Sequence, residues 1–485
     1  MRACVNARPL KIALAGAVLV FFWNIPVDAS NILDRVTAPF EDPLLTRPPR
    51  LDLNIVLPGD TNPLPCPVAK DFNEPLVLGE AIDIALCANP QIQSAWAGIK
   101  IQAAALGEAR ATYSPTITGA AGRVKDFTSF PDSRLSSTAV ASNTMSSALN
   151  WRLFDFGGRA ANNESARQLL IAALANHDAV LQKTLASVIG SYFDAQTALA
   201  TLQAKEKNAQ LAMRTLETAK RKEAQGAAAR SDSLQATTAA AKANLDRSKA
   251  QGGYEKALAI LAYNLGVPTT LPIILGADLA EEKHETAKDL AGWIDEIQRA
   301  HPAIVAARAQ LEAAQQKVIA TRSDGMPTLD FSLNYFQNGR DNQSLSSVRS
   351  KEWVVGVTLN IPIFDGFSRT YKIRGAQSQV EQKRADLEDT EHQVSMDFVK
   401  AYAEANSALR NLEFSESLLH AAQDALATTQ RKYEKGASDI LEILNVQTSL
   451  SDAEEQQVQS LADWRSARLH LLTSSGRLGR ADIHN

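Results

Sequence analysis

Lys351-Glu-Trp-Val-Val-Gly-Val-Thr-Leu-Asn-Ile-Pro-Ile-Phe-Asp-Gly-Phe-Ser-Arg369 is the stretch on which the reading of this chain turns. Trp353, Val355, Val357, Leu359, Ile361 and Ile363 alternate with Glu352, Val354, Gly356, Thr358, Asn360 and Pro362. Alternation at period two predicts a β-strand with one apolar face and one largely polar or small face. The strand ends at Phe364-Asp-Gly-Phe367. From Ser368 to the C-terminus there is no proline, and the pattern turns helical.

The same arrangement occurs twice. Leu149-Asn-Trp-Arg-Leu-Phe-Asp-Phe-Gly-Gly-Arg159 matches Leu359-Asn-Ile-Pro-Ile-Phe-Asp-Gly-Phe-Ser-Arg369 at an offset of 210. Upstream, Ala88-Asn-Pro90 matches Ala300-His-Pro302, and Ser114-Pro-Thr-Ile117 matches Met326-Pro-Thr-Leu329, both at 212. Downstream, Arg221-Lys222 with Gly226 matches Arg431-Lys432 with Gly436, again at 210. Collinear anchors on both sides predict a duplicated unit of helix, hairpin and long helical tract.

From the N-terminus, residues 1–29 read as a secretory signal peptide. Arg2, Arg8 and Lys11 precede an apolar run from Ile12 to Phe22, and Val27 and Ala29 are small residues at a cleavage site. The run is shorter than the roughly 20 residues that span a bilayer, and no cysteine follows it as a lipidation site. Removing the segment takes away three positive charges and one negative, so the formal −4 becomes −6. A mildly acidic exported chain is a poor nucleic-acid binder. Residues 30–75 are proline-rich and aperiodic and read as an extended arm. The mature chain keeps Cys66 and Cys87. In an oxidising compartment they are expected to bridge, tying the arm to the first helix; two free thiols are the other reading.

The first repeat is 76–267: a helix interrupted at Asn89-Pro90, a hairpin over about 113–155 with a Ser/Thr-rich loop from Thr128 to Asn143, and a proline-free, alanine-rich tract from Gly157 to Gly266. Half of that tract as helix would measure about 80 Å. Residues 268–288 read as a linker. The second repeat is 289–478, with a helix broken at Pro302 and a hairpin over about 327–365, and 479–485 form a tail. In its long helix Leu387, Val394, Ala401, Ala408 and Ala422 hold one heptad position, and Phe398, Ala405, Leu412, Leu419 and Leu426 a second, with Glu391 and Ser415 as exceptions. A 3.5-residue period rich in alanine predicts a closely packed coiled-coil seam.

Four strands with an apolar face are too few to close a barrel, which needs about eight. A membrane does not tolerate their open edges, so membrane-spanning strands require several chains to share one barrel. The alternative is a soluble four-stranded sheet covered by helices.

A signal peptide, two tandem units, hairpins ending in Phe-Asp-Gly-type turns and long Ala-rich helices resemble the TolC family of outer-membrane efflux and export proteins, over about Leu76 to Leu478. The resemblance implies a mixed α+β membrane protein: a homotrimer in which each protomer gives four transmembrane strands to a shared 12-stranded barrel in outer-membrane lipid. A long α-helical tunnel then crosses the periplasm. It also implies docking to a periplasmic adaptor, a membrane fusion protein, and an inner-membrane pump. The cysteine pair and the missing lipidation signal resemble the type I secretion branch, whose ABC transporter drives export of polypeptides such as RTX-type toxins. Multidrug or metal efflux is the alternative within the fold. A periplasmic coiled-coil scaffold is the alternative outside it, and it leaves the alternating strands without a role.

The resemblance further implies that helix turns at Gly226 and Gly436 close the periplasmic end. The family's gating tyrosine falls on Tyr433 and the aspartate that partners it on Asp232. The two acidic positions of the entrance ring fall on Glu442 and Asn445, so only the Glu442 ring would favour cations. The arginine that also bonds the aspartate falls on Ser438, which makes no salt bridge; Arg230 is the nearby substitute. Trp151 and Trp353 are expected either in an interfacial aromatic belt or buried. No catalytic, cofactor or metal set is legible. The seven histidines are scattered, and neither a phosphate-binding glycine loop with lysine nor a Gly-x-Ser-x-Gly elbow occurs. The reading is a passive conduit, not an enzyme.

Overall fold

The computed structural model describes residues 74–129, 138–276, 294, 297–338, 350–435 and 437–476, all within one packing unit, Asp52–Asn485. The expected signal peptide, almost all of the arm, Cys66, Gly436, most of the 268–288 linker, the hairpin loop tips and the tail lie outside the described residues.

Proline and the residue before it set the helix starts. The helix α1 (Leu78–Ala88) stops at Asn89, and α2 (Pro90–Ala111) restarts on Pro90, whose missing N–H is no loss at a first helical position. Asn89 Oδ1 accepts from Gln91 N at 2.8 Å. The strands β1 (Thr116–Thr128) and β2 (Thr138–Phe154) follow, then the helices α3 (Gly158–Ala224) and α4 (Arg230–Leu265). The second unit repeats this as α5 (Pro302–Ser323), β3 (Thr328–Gln337), β4 (Lys351–Asn360), α6 (Ser368–Glu434) and α7 (Ile440–Ser474). Here α2 and α5 are both 22 residues long, and α3 and α6 both 67. At about 1.5 Å per residue each long helix runs about 100 Å. His301 takes the place of Asn89, its Nδ1 accepting from Ala303 N at 3.3 Å.

The strands form one antiparallel sheet in the order β1-β2-β3-β4. Ile117, Leu149, Leu333 and Val355 stand opposite one another across all four strands, and so do Thr116, Asn150, Ser332 and Gly356. The first row is apolar and the second polar or small, so the two faces are chemically distinct. Val355 is 65% exposed and Ile363 91%. Among the described residues no helix packs on either face. The helix cover that the soluble reading requires is thus not found among the described residues. Two strand limits differ from expectation. Thr138 to Asn143 belong to β2, paired with Arg123 to Thr128; a Ser/Thr-rich composition looks loop-like, yet the backbone ladder accepts it. At the other end β4 stops pairing at Asn360 although the alternation runs to Ile363, because Pro362 has no N–H to donate.

Each hairpin is joined to its long helix by two successive left-handed residues, Phe156 (φ +52°) with Gly157 (φ +85°) and Gly366 (φ +66°) with Phe367 (φ +65°). This is the backbone of a type I′ turn. Asp155 Oδ2 accepts from the backbone N of Arg159 at 2.9 Å and from its Nε at 3.0 Å. Asp365 Oδ2 accepts from Arg369 N at 2.8 Å. The arginines then reach across the joint: Arg159 Nη1 donates to Thr112 O and Arg152 O, and Arg369 Nη1 to Gly325 O. The Asp-x-x-x-Arg spacing thus locks strand end, turn and preceding helix together.

Toward the strands the helices lie side by side in the order α2–α3–α5–α6, and toward the far end in the order α4–α3–α7–α6. The heptad seam of α6 buries Val394, Ala401, Ala408, Ser415, Ala422 and Thr429. Ser415, an apparent exception by sequence, is buried because its hydroxyl donates to Leu412 O of its own helix. The largest core gathers Ile82 and Leu86 of α1, Leu185, Ile189 and Tyr192 of α3, and Leu261 and Leu265 of α4. Tyr192 Oη donates to Leu76 O at 3.1 Å, and Leu76 also bridges to Leu275. Beside this core Cys87 is disulfide-bonded; the other two cysteines, Cys4 and Cys66, lie outside the described residues.

Burial holds the His301 imidazole below its ordinary pKa of 6.5, against the pull of Asp397, and its cap needs an unprotonated Nδ1. The unfolded chain takes up this proton first, so the stabilisation is complete above about pH 6.5 and is lost as pH falls through the depressed folded value. His301→Asn, which copies the Asn89 cap, is expected to match wild type at pH 8 and to lose about 1 kcal/mol less stability on acidification to pH 5, measured as thermal unfolding against pH.

Candidate functional site

The features that the sequence singles out for gating converge at the helix ends farthest from the sheet. The α3–α4 turn closes with Gly226 left-handed (φ +70°) and Ala227 N donating to Lys222 O at 2.8 Å. The α6–α7 turn makes the same six-to-one bond, Ala437 N to Lys432 O at 2.8 Å. This is the Schellman closure that satisfies helix-terminal carbonyls. The second helices start differently. At α7, Asp439 Oδ1 accepts from Glu442 N at 2.7 Å, and Ser438 Oγ donates to Glu442 Oε2 at 2.6 Å. At α4, Ala229 supplies no side-chain cap; Asp232 occupies the position of Glu442, 210 residues earlier, and accepts from Ser231 Oγ at 3.1 Å. Both carboxylates sit in a first helical turn, where the helix dipole favours negative charge. Asn445 is exposed one turn beyond Glu442 on the same side of α7.

Tyr433, only 7% exposed, is the centre of the tip. It clusters with Ala219 of α3, Ala236 of α4, and Ile440 and Ile443 of α7, so the cluster draws on all four helices. Burial, and secondarily the Asp232 carboxylate, push its phenol above the ordinary value of 10.0. Among the described residues no hydrogen bond joins the Tyr433 hydroxyl to Asp232. Instead Lys222 holds the tyrosine. Its Nζ lies 3.9 Å from the ring centroid and donates to Tyr433 O at 2.7 Å. A cation over an aromatic face and a charge-assisted bond to a helix-terminal carbonyl contribute together on the order of 2 kcal/mol. Sequence reading passed over Lys222 as a repeat anchor; the signal available was a basic residue in the last turn of a helix. Ser438, at the arginine position, is committed to Glu442. Arg230 is exposed and makes no ion pair among the described residues.

Farther along, Gln447 Nε2 donates to Thr215 Oγ1 at 2.9 Å in a buried contact, and Lys205 Nζ pairs with Glu455 Oε2 at 2.7 Å. Both join α3 to α7. Near the sheet, α2, α3, α5 and α6 line a cavity of about 930 Å³ whose polar groups are mainly amides and lysines such as Gln102, Gln310, Lys317 and Lys383. Trp151 donates through Nε1 to Tyr113 O at 2.9 Å, and the Trp353 ring lies tilted against that of Tyr335, their centroids 4.7 Å apart; both tryptophans are exposed on the apolar face. Trp151 stands opposite Phe331 and Trp353 opposite Tyr335, so the two lie only four residues apart along β3, about 13 Å. That is too close for them to mark opposite interfaces of an apolar band about 25 Å tall.

This chain is 36% identical to Protein CyaE of Bordetella pertussis over 420 residues, 86% of this chain and 88% of that one. It is 22% identical to the alkaline protease secretion protein AprF of Pseudomonas aeruginosa over 270 residues, 54% and 55% of the two chains. Among solved structures it superposes on the outer-membrane channel OprN with a TM-score of 0.72 at 22% identity, covering 89% of this chain and 96% of that one. The family profile described as outer membrane efflux protein matches residues 81–267 and 293–477, the two repeats of the fold. With bare-faced strands, paired long helices and both repeats accounted for, the chain belongs to the outer membrane efflux protein family.

Proposed function

We propose that the chain is one protomer of a homotrimeric duct through the outer membrane. The observation that carries this reading is a sheet with an uncovered apolar face and two unpaired edges, β1 and β4. Three copies supply twelve strands and leave no edge, which hydrocarbon requires. The helices continue as a periplasmic tunnel, and the tips around Tyr433 form its gate. Asp232 beside the phenol, Lys222 beneath the ring and Glu442 on the exposed rim are the groups assigned to closing and filtering. Trp151 and Trp353 are assigned to the lipid-facing surface, and Cys66 to the disulfide of Cys87.

The cargo assigned is a polypeptide, delivered by an inner-membrane ABC transporter through a periplasmic adaptor, as in type I secretion. Similarity to a protein named for alkaline protease secretion supports this. A pump for drugs or metals is the second reading, supported by the family's own description as efflux proteins. A strain lacking its secretion duct but keeping transporter, adaptor and a repeat-toxin substrate decides between them: the polypeptide reading requires toxin in the medium when this chain is supplied.

Planar-bilayer recording of the detergent-purified protein tests the duct itself. Wild type is expected to give a small, cation-preferring conductance and to run as a trimer by light scattering; a soluble monomer without conductance overturns the proposal. Tyr433→Phe and Asp232→Ala are expected to raise conductance severalfold, and no change in either sinks the gate assignment. Lys222→Met keeps the apolar stem and loses both contacts. It is expected to raise conductance and to speed amide exchange at the tip about tenfold or more, in line with the contacts removed. Glu442→Gln is expected to reduce cation preference measured as reversal potential in a salt gradient.

A further inference from the structure

The charged residues of the four strands are sorted by sign between the two faces. On the outward, apolar face, rows from the helix side to the loop side read Phe331 with Val357, then Leu333 with Val355, then Tyr335 with Trp353, then Ala121, Met145, Gln337 and Lys351. Beyond them on the same face stand Arg123, opposite Asn143, and Lys125, opposite Ala141. The acidic residues of the strands, Asp126, Asp330 and Glu352, alternate onto the other face, where the one base, Arg152, is paired to Asp330 at 2.9 Å. The outward face therefore carries three cations and no anion. All three are exposed, and none makes a side-chain hydrogen bond or ion pair among the described residues.

Position decides what these cations meet. Unpaired charge facing hydrocarbon is expelled toward the interface, and these side chains begin where the aromatic row of Tyr335 and Trp353 ends, on the loop side away from the helices. That is the headgroup level of the outer leaflet. We propose that Arg123, Lys125 and Lys351 form a binding site for the phosphorylated headgroups of outer-leaflet lipid. Arg123 and Lys125 lie on β1 and Lys351 on β4, the two free edges. Closing the barrel sets the β4 of one copy beside the β1 of the next, so the site forms at each protomer joint and a bound lipid bridges two copies. The inference rests on the barrel reading, which conductance checks separately.

Native mass spectrometry of the detergent-purified full chain, titrated with bisphosphorylated lipid A, its dephosphorylated form, and inorganic phosphate as competitor, tests the site. Each cation near an anionic headgroup is worth roughly fivefold in affinity, so Arg123→Gln/Lys125→Gln/Lys351→Gln is expected to weaken bisphosphorylated lipid binding on the order of a hundredfold while still conducting. Arg123→Lys/Lys125→Arg/Lys351→Arg is expected to bind like wild type. Equal binding by the Gln variant, or equal binding of dephosphorylated lipid by wild type, overturns the proposal. Displacement of the lipid by equimolar inorganic phosphate overturns the lipid assignment. If the triple variant does not assemble, the single Gln substitutions decide the question, each expected to lose about fivefold.

Discussion

Backbone hydrogen bonding in hydrocarbon is the constraint on which the rest of this structure depends. A strand edge in water bonds to solvent; in a bilayer each unpaired N–H or C=O costs several kcal/mol. Among the described residues, the sheet of this protein has an apolar face that no helix covers and an edge on each side. By itself it leaves β1 and β4 each with one unpaired edge, which the proposed assembly of further copies would pair. The duplication follows the same logic, because each repeated hairpin adds two adjacent strands to one sheet and joins its helix through the same kind of turn.

Those joints show how two periodicities are spliced. A period-two strand must hand over to a period-3.6 helix without fraying. Two consecutive left-handed residues reverse the chain, and the aspartate before them caps the first helical amides. Phe and Gly exchange places between the two copies of the turn, Phe156-Gly157 against Gly366-Phe367, so backbone conformation is kept while side-chain order is not. The arginine four residues after each aspartate reaches back to the preceding helix-to-strand turn. Strands and helices are thereby tied together at each joint by an arginine donating to backbone carbonyls.

At the opposite end the chemistry is looser. The tip core is small, made of alanines, two isoleucines and one tyrosine. Its distinctive attachment is a lysine that holds that tyrosine's ring and carbonyl. Under the proposed gating role, contacts must be strong enough to rest closed and few enough to release, and a contribution on the order of 2 kcal/mol is compatible with both.

Much of this was legible in the sequence because it is local. Period-two alternation marks β3 and β4, the Asn-Pro and His-Pro pairs mark the helix breaks, and the 210-residue offset pairs the two units. The signal failed where contacts are remote or composition misleads. Thr138 to Asn143 look like a loop and pair as a strand, since the ladder is made by backbone atoms that composition does not report. Ser415 breaks an apolar heptad on paper and is buried in fact. Lys222 and Tyr433 meet across 211 residues of chain, so no window of sequence could join them. Local periodicity determined the elements and their order. Only the tertiary structure decided which face stayed bare, which charges were paired and which lysine holds the tyrosine, because those are set by what packs against what.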